Sequence, residues 1–161
     1  MSNTIKLIVS LLLPQLAGFI GSLFTRSGIR TWYNMIEKPA LNPPSWIFGP
    51  VWTTLYLLMG IALFLIWRIE PTSAKQAINI KIAFWIFGIQ LFLNALWSML
   101  FFGLESPALA LVGIIFLWIF IVLNIFVFYR ISSVSGLLLV PYLIWVSFAT
   151  YLNYSIWVLN S

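Results

Sequence analysis

The sequence of 161 residues lacks cysteine, histidine and aspartate, three residue types on which much protein chemistry depends. Without cysteine there is neither a disulfide nor a thiolate site. Without histidine and aspartate the chain lacks the Ser-His-Asp triad, the usual general base and the common zinc and haem ligands. The acidic residues are Glu37, Glu70 and Glu105 only. We therefore expect no metal site, no cofactor and no conventional acid–base catalysis.

Charge is also scarce, since 7% of the residues are charged and 63% are hydrophobic. A soluble domain has about 25% charged residues, so most of this surface cannot face water and a membrane protein is predicted. The net charge of +5 comes from eight scattered Lys and Arg residues. Without a basic run, it indicates charge flanking a bilayer rather than nucleic-acid binding. The length predicts one domain, residues 1–161.

Five apolar segments are long enough to cross a bilayer, which takes about 20 residues in a helix. Because open sheet edges cannot face lipid, we interpret them as helices. The predicted spans are residues 5–25, 44–68, 79–103, 106–129 and 133–159. The expected fold is an all-α membrane protein, a five-transmembrane-helix bundle with a lid-like first loop. The short third and fourth turns predict that the last three spans are antiparallel neighbours.

The first loop, residues 26–43, is rich in aromatic residues and proline. Pro44 suits the first turn of the second span, where a missing N–H is tolerated. Trp32 and Tyr33 admit two interpretations. They can belong to a lid over a pocket, or they can lie in the aromatic belt at the membrane surface.

Three spans carry aromatic and uncharged polar residues at helical spacing on one face. They are Trp52, Tyr56 and Met59 in the second span, Gln90, Asn94 and Trp97 in the third, and Tyr142, Trp145, Ala149 and Asn153 in the fifth. One interpretation is a pocket for a flat, largely apolar molecule, in which Ala149 leaves room. The other is that the amides hold the bundle together, at about 0.6 kcal/mol for each interhelical hydrogen bond. In the fourth span, Asn124 is the isolated polar residue.

In the first span, Ala17 with Gly21 and Gly18 with Ser22 form small-residue pairs four apart. Such faces allow two helix backbones to approach closely, so we predict packing against a neighbouring helix rather than ligand contact. The cations predict orientation. Lys6, Arg68, Lys75, Lys81 and Arg130 lie on one side, and Arg26, Arg30 and Lys38 lie on the other. This favours the amino terminus inside and the first loop outside.

Three separated blocks of sequence match one known pattern. The first contains Trp32-Tyr33, Glu37-Lys38-Pro39, Asn42-Pro43-Pro44-x-Trp46-x-x-Gly49-Pro50-Val51-Trp52-Thr53, Leu55-Tyr56 and Met59-Gly60. The second contains Leu93-Asn94, Trp97 and Phe101-Phe102-Gly103, and the third contains Pro141-Tyr142-Leu143, Trp145, Phe148-Ala149-Thr150 and Leu152-Asn153-Tyr154. In these blocks the chain resembles the TspO/translocator protein family, also called tryptophan-rich sensory proteins or peripheral benzodiazepine receptors.

The resemblance implies a five-helix bundle, usually a homodimer, in a bacterial cell membrane. It also implies a pocket near the first loop for porphyrins, sterols and synthetic benzodiazepine or isoquinoline ligands. The pocket residues it implies are Trp52, Asn94, Trp97, Trp145 and Ala149, with Trp32 and Tyr33 in the lid.

Two departures from the family pattern limit what it implies. The family's sterol motif places a basic residue after a tyrosine in the fifth span, but SIWVLNS follows Tyr154. Sterol binding therefore does not carry over through this segment. Some bacterial members pair small residues four apart on the third span as a dimer face. Here Phe92 stands four residues after Gly88, so the dimer interface is not identified.

Three functions agree with this sequence. The first is a receptor or carrier for tetrapyrroles such as protoporphyrin, which would stack on Trp52 and Trp145 and accept a hydrogen bond from Asn94 after the first loop opens. Its carboxylates would meet Arg26, Arg30 or Lys38. The second is a light-dependent porphyrin-degrading enzyme in which Trp52 and Trp145 take part in redox chemistry. The third is a scaffold with incidental ligand affinity.

Overall fold

A computed structural model describes residues 2–161, so Met1 of the predicted domain lies outside the described residues. The helices are α1 (Asn3–Arg30), α2 (Trp32–Met35), α3 (Phe48–Trp67), α4 (Ala74–Ser98), α5 (Pro107–Ile131), α6 (Ser133–Leu137) and α7 (Val140–Leu159). A 3-10 turn, Ser45–Ile47, leads into α3, and a π-helical turn, Met99–Gly103, continues α4. Across residues 2–161 there are five segments long and apolar enough to span a membrane, and no strands. The predicted fold class is confirmed.

Three helices, α1, α4 and α5, extend beyond the predicted spans. α1 continues from residue 25 to Arg30, and the hydroxyls of Thr25 and Ser27 donate to carbonyls of the preceding turn. These polar residues therefore remain compatible with the helix. α4 begins at Ala74 instead of residue 79 because the side chain of Ser73 caps it, accepting a hydrogen bond from a first-turn N–H.

The start of the second span differs from the prediction. Pro44 does not lie in the first turn of α3; its ψ of 140° is extended, and its carbonyl accepts from the N–H of Ile47 at 3.0 Å to close the 3-10 turn. α3 itself begins at Phe48, and Pro50 occupies its first turn. A proline fits there because the first N–H groups of a helix have no intrahelical partner.

The spans are arranged in a ring. α1 packs between α3 and α4, and α5 packs between α4 and α7. The last three spans are therefore neighbours, as predicted. The ring closes between α3 and α7 through edge contacts of Phe48 with Trp145 and of Trp52 with Tyr142. The main hydrophobic core fills the end of the bundle distant from the first loop, and the first-loop end contains a cavity.

The small-residue face of α1 packs closely against two helices. Gly18 lies against the ring of Tyr56 with no room for a Cβ atom, and a Cβ on Gly21 would lie 3.0 Å from the Ser98 Oγ. The predicted packing of this face is confirmed. The same two glycines also line the cavity, so this face of α1 both packs against neighbouring helices and forms part of the cavity wall.

Gly60 on α3 is another close crossing with α1, and it gives the first testable prediction. A Cβ there would lie 2.8 Å from the Leu11 Cα and 2.8 Å from the carbonyl oxygen of Ser10. Both are backbone atoms of α1, so the helices must separate to accommodate it. We expect Gly60→Ala to lower the free energy of unfolding by about 1–3 kcal/mol, measured by thermal unfolding in detergent.

Gly88 provides the matched control for this prediction. It also lies within a helix, but a Cβ there meets nothing within 4 Å. We expect Gly88→Ala to be neutral or stabilising, because alanine favours helix over glycine by up to about 1 kcal/mol. Equal destabilisation by both substitutions would show that close packing at Gly60 is not the cause.

Candidate functional site: a cavity beneath the first loop

A cavity of about 510 Å³ lies between α1, α3, α4 and α7, below the first loop. Pockets for drug-sized molecules range from about 300 to 1,000 Å³. The wall consists of Gln15, Gly18, Phe19, Gly21, Ser22, Thr25 and Ile29 from α1; Tyr33 from α2; Ser45, Phe48, Gly49, Trp52, Thr53 and Tyr56; Trp97, Ser98 and Phe102; and Trp145 and Ala149 from α7. No charged side chain of the described residues belongs to this wall.

The structure brings together six of the eleven predicted site residues in this wall: Tyr33, Trp52, Tyr56, Trp97, Trp145 and Ala149. The other five do not line the cavity: Trp32, Gln90, Asn94, Tyr142 and Asn153. Three of these five, Asn94, Tyr142 and Asn153, lie directly behind the wall, because each contacts a residue that lines the cavity.

Asn94 connects two aromatic residues behind the cavity. The Tyr56 hydroxyl donates to the Asn94 Oδ1 at 2.7 Å, and the Asn94 Nδ2 donates to the Tyr142 hydroxyl oxygen at 3.0 Å. The ring of Trp52 stacks on Tyr56 with centroids 5.4 Å apart and meets Tyr142 edge-on at 6.1 Å. Asn94 thus fixes an aromatic wall that joins three helices, with its amide committed to the two hydroxyls.

Asn153 supports Trp97 in a similar way. The Trp97 Nε1 donates to the Asn153 Oδ1 at 2.9 Å, and the Asn153 Nδ2 donates to the carbonyl oxygen of Pro107 at 2.8 Å. This connects α4 and α7 to the first residue of α5. Asn153 therefore orients an indole of the cavity wall from behind.

Gln90 and Asn124 are buried polar residues with few partners. The Gln90 Nε2 lies 3.7 Å from the Met59 Sδ, which is a weak contact. In the part of the chain that the structure describes, the Gln90 Oε1 and the Asn124 Nδ2 have no hydrogen-bond partner. Neither residue lines the cavity.

The π-helical turn at the end of α4 forms the base of the lid. It presents Phe101 and Phe102 beneath α2, where Trp32 meets Phe101 edge-on at 5.5 Å and Tyr33 lies 5.6 Å from Phe102. π-helical turns occur frequently at functional sites. The side chain of Tyr33 is 5% exposed, which favours the lid interpretation over an interfacial aromatic belt.

Tyr33 also holds the first loop together. Its hydroxyl donates to the Asn42 Oδ1 at 2.9 Å, and the Lys38 Nζ lies over its ring at 4.8 Å from the centroid. Burial raises the pKa of the Tyr33 phenol above its ordinary value, and the hydrogen bond to Asn42 offsets part of that rise. The phenol is therefore a protonated donor at neutral pH.

The carboxyl end of α7 fastens the loop at a second point. The Glu37 N–H donates to the Asn160 Oδ1 at 3.0 Å, and the Asn160 Nδ2 donates to the carbonyl oxygens of Glu37 at 3.0 Å and Ile156 at 2.8 Å. The two bonds between Glu37 and Asn160 connect residues 123 positions apart. We call this contact between Glu37 and Asn160 the latch.

The latch gives a second testable prediction. Asn160→Ala removes the acceptor of the Glu37 N–H, so we expect that amide to exchange with solvent at least about tenfold faster, as measured by NMR-detected hydrogen exchange. Ser161→Ala is the control, since the Ser161 hydroxyl bonds only to the carbonyl of Trp157. If both variants leave Glu37 exchange unchanged, the latch does not hold the loop.

The cavity extends to the outer surface between α1 and α3. Phe19, a wall residue, is 60% exposed, and Gly49 and Thr53 on the facing side are also exposed. Below them the Gln15 Nε2 donates to the carbonyl oxygen of Thr53 at 3.4 Å. The first loop thus covers the cavity, and the seam between α1 and α3 leaves its side open.

The α1 wall was not predicted from the sequence. Gln15, Gly18, Ser22 and Thr25 follow one another at spacings of three or four, which is the period of one helical face. Small and polar residues on one face of an otherwise apolar helix were a signal that could have identified this part of the wall. Phe48 and Phe102 gave no comparable signal, because phenylalanine is frequent throughout the chain.

These features define a class: a multi-pass helical membrane protein with a ligand-sized aromatic cavity beneath a closed loop. The profile of the TspO/MBR family matches residues 10–158, and the chain belongs to that family. The resemblance inferred from the motifs is confirmed.

Relatives from distant organisms match nearly the whole chain. It is 47% identical to the "Tryptophan-rich protein TspO" of Chlorobaculum tepidum over 158 residues, covering 98% of this chain and 96% of that protein. Identity with the protein of the same name from Archaeoglobus fulgidus is 45% over 159 residues, covering 99% of each. Identity with the "Translocator protein" of Homo sapiens is 35% over 146 residues, covering 91% of this chain and 85% of that protein.

Proposed function

We propose that this protein is a membrane receptor or carrier that binds porphyrins, such as protoporphyrin-like tetrapyrroles, and other flat hydrophobic molecules. The observation that carries the proposal is the cavity of about 510 Å³, whose aromatic wall includes Trp52, Tyr56, Trp97 and Trp145. The name of the human relative, translocator protein, supports such a role.

The proposed binding mode uses the shape and stiffness of the aromatic wall. Aromatic faces bind flat rings by stacking, and a wall fixed in advance loses little entropy when a ligand binds. Trp52 has this support from Tyr56, which Asn94 holds from behind. Ala149 leaves space opposite larger neighbours. In this mode Asn94 positions the wall and does not itself contact the ligand.

Charged groups of a porphyrin would lie at the first-loop end. Arg26 and Arg30 are exposed near the end of α1, close to the wall residues Thr25 and Ile29. The third candidate cation, Lys38, donates to the carbonyl of Ile36 and rests on Tyr33. We therefore assign the porphyrin carboxylates to the two arginines.

The membrane setting completes the proposal. We place the protein in a bacterial cell membrane as a homodimer, as the family resemblance implies. The distribution of Lys and Arg supports the amino terminus inside and the first loop outside. The predicted absence of a sterol site at Tyr154 remains part of this proposal.

Dark titration in lipid nanodiscs tests the proposal. Protoporphyrin added to the reconstituted protein is expected to quench tryptophan fluorescence saturably, at one porphyrin per chain, and empty nanodiscs show the contribution of partitioning. Quenching that is linear up to the solubility limit would contradict the proposal.

The enzyme alternative retains support because both candidate redox residues, Trp52 and Trp145, line the cavity. Under light, porphyrin loss beyond one equivalent per chain, abolished in Trp145→Phe with dark binding retained, would establish it. Loss that stops at one equivalent, or that Trp145→Phe leaves unchanged, would leave binding as the function.

A further inference from the structure

A second pocket lies at the opposite end of the bundle, where α4 begins and α5 ends. Its volume is about 300 Å³, and its wall consists of five polar or cationic residues from segment 72–79 together with Arg130 and Ile131. None of the wall residues is acidic. Lys75 and Arg130 come from different helices, so the fold itself brings two positive charges to one small polar pocket.

The α4 side of this pocket is fixed by local hydrogen bonds. The Gln76 Oε1 accepts from the N–H and the hydroxyl of Thr72 at 2.8 Å and 3.1 Å. The Ser73 Oγ accepts from the Gln76 N–H at 3.2 Å. Lys75 and Asn79, four residues apart, therefore project from one face of a turn that is already ordered.

The α5 side places its cation at the boundary with lipid. The Arg130 guanidinium carbon lies 4.2 Å from the ring centroid of Phe126, one turn earlier on α5. Phe126 is 53% exposed within an apolar spanning helix, so its ring faces the bilayer. An arginine held on a lipid-facing ring lies at the depth where lipid headgroups begin.

We propose that this pocket binds the phosphate of an anionic lipid headgroup. The planar guanidinium of Arg130 presents paired N–H donors that match phosphate oxygens, and Lys75 adds a second positive charge. Asn79 supplies an uncharged amide donor. A lipid is favoured over free phosphate because Phe126 orients Arg130 toward the bilayer side of the pocket. Lys/Arg counts predict that this end faces the inner leaflet, where anionic lipids attract basic residues.

Native mass spectrometry of the full chain tests the assignment. The protein is reconstituted in equal amounts of phosphatidylglycerol and phosphatidylcholine, and the retained lipid is identified by mass. We expect phosphatidylglycerol to be retained preferentially, and Arg130→Gln or Lys75→Gln to lower the retained fraction about fivefold, because each removes one of the two cations in the pocket wall. Phe126→Leu, which keeps the apolar surface but removes the ring beneath Arg130, should lower it to a smaller extent.

Lys81→Gln is the matched control, since it removes one positive charge from the same membrane end, outside the pocket wall. Retention is expected to stay within twofold of the unmodified chain. An equal loss of retained lipid in Lys81→Gln would show that the lipid is attracted by the general positive charge of this membrane end. Displacement of the lipid by excess inorganic phosphate would show that the pocket binds a free anion. Either result, or unchanged retention in Arg130→Gln with helical content intact, overturns the proposal. No porphyrin is used, so the outcome is independent of the proposed function.

Discussion

Replacing Ala149 with phenylalanine is expected to weaken porphyrin binding at least about tenfold, or about 1.4 kcal/mol, while the protein remains folded. Ala149 lies on α7 one turn after Trp145, and both residues line the cavity. A phenyl ring at this position would occupy the space in which the macrocycle has to stack. Overpacking of a filled core usually destabilises by about 1–3 kcal/mol, but the new ring can enter open volume here.

Ile144→Phe is the control for Ala149→Phe. It adds a ring to the same helix, at a residue that is 66% exposed on the outside of the bundle. We expect its porphyrin affinity, measured by fluorescence titration in nanodiscs, to equal that of the unmodified protein. Unchanged affinity in Ala149→Phe, or an equal loss in Ile144→Phe, would place the ligand outside the cavity.

Asn94→Leu is expected to lower the free energy of unfolding by about 1–3 kcal/mol and to weaken porphyrin binding as well. It removes both hydrogen bonds that connect Tyr56 and Tyr142. Interhelical hydrogen bonds in membranes contribute about 0.6 kcal/mol on average and up to about 1.7. The two buried hydroxyls also lose their partner. Binding weakens because Tyr56, which supports the Trp52 ring, is no longer held.

Gln90→Leu is the matched comparison, one turn earlier on the same face of α4. Gln90 makes only the 3.7 Å contact with the Met59 Sδ, and its Oε1 is unpartnered within residues 2–161. We expect thermal unfolding and porphyrin titration to show little change or a gain in stability. If Gln90→Leu is as harmful as Asn94→Leu, the hydrogen bonds of Asn94 are not the cause of its effect.

The spans and the inner aromatic faces could be predicted from the sequence because both are periodic. Scarce charge with long apolar runs leaves helices as the stable solution in lipid, and Trp52 with Tyr56 repeats at the helical period. The period shows which face points inward. The period does not show whether a side chain reaches the cavity surface. Tyr56, which lines the wall, and Asn94, which lies behind it, therefore could not be distinguished from the sequence.

Other features depend on information that local patterns do not contain. The latch joins Glu37 to Asn160 across 123 positions, and nothing near either residue indicates its partner. The π-helical turn below α2 changes the direction of Phe101 and Phe102, which an ideal helical period cannot represent. Gly18 was ambiguous for a different reason, because a small residue permits both close packing and an open cavity.

Occupancy of the cavity is tested most directly by protection of a single thiol. The chain has no cysteine, so Ser22→Cys and Ser27→Cys each carry one reactive group on α1. Both serine hydroxyls donate to the carbonyl three residues earlier, but only Ser22 lines the cavity. With saturating protoporphyrin in the dark, alkylation by a small maleimide is expected to slow at least about tenfold at position 22 and to stay unchanged at position 27. Equal rates with and without porphyrin at position 22 would contradict binding in this cavity.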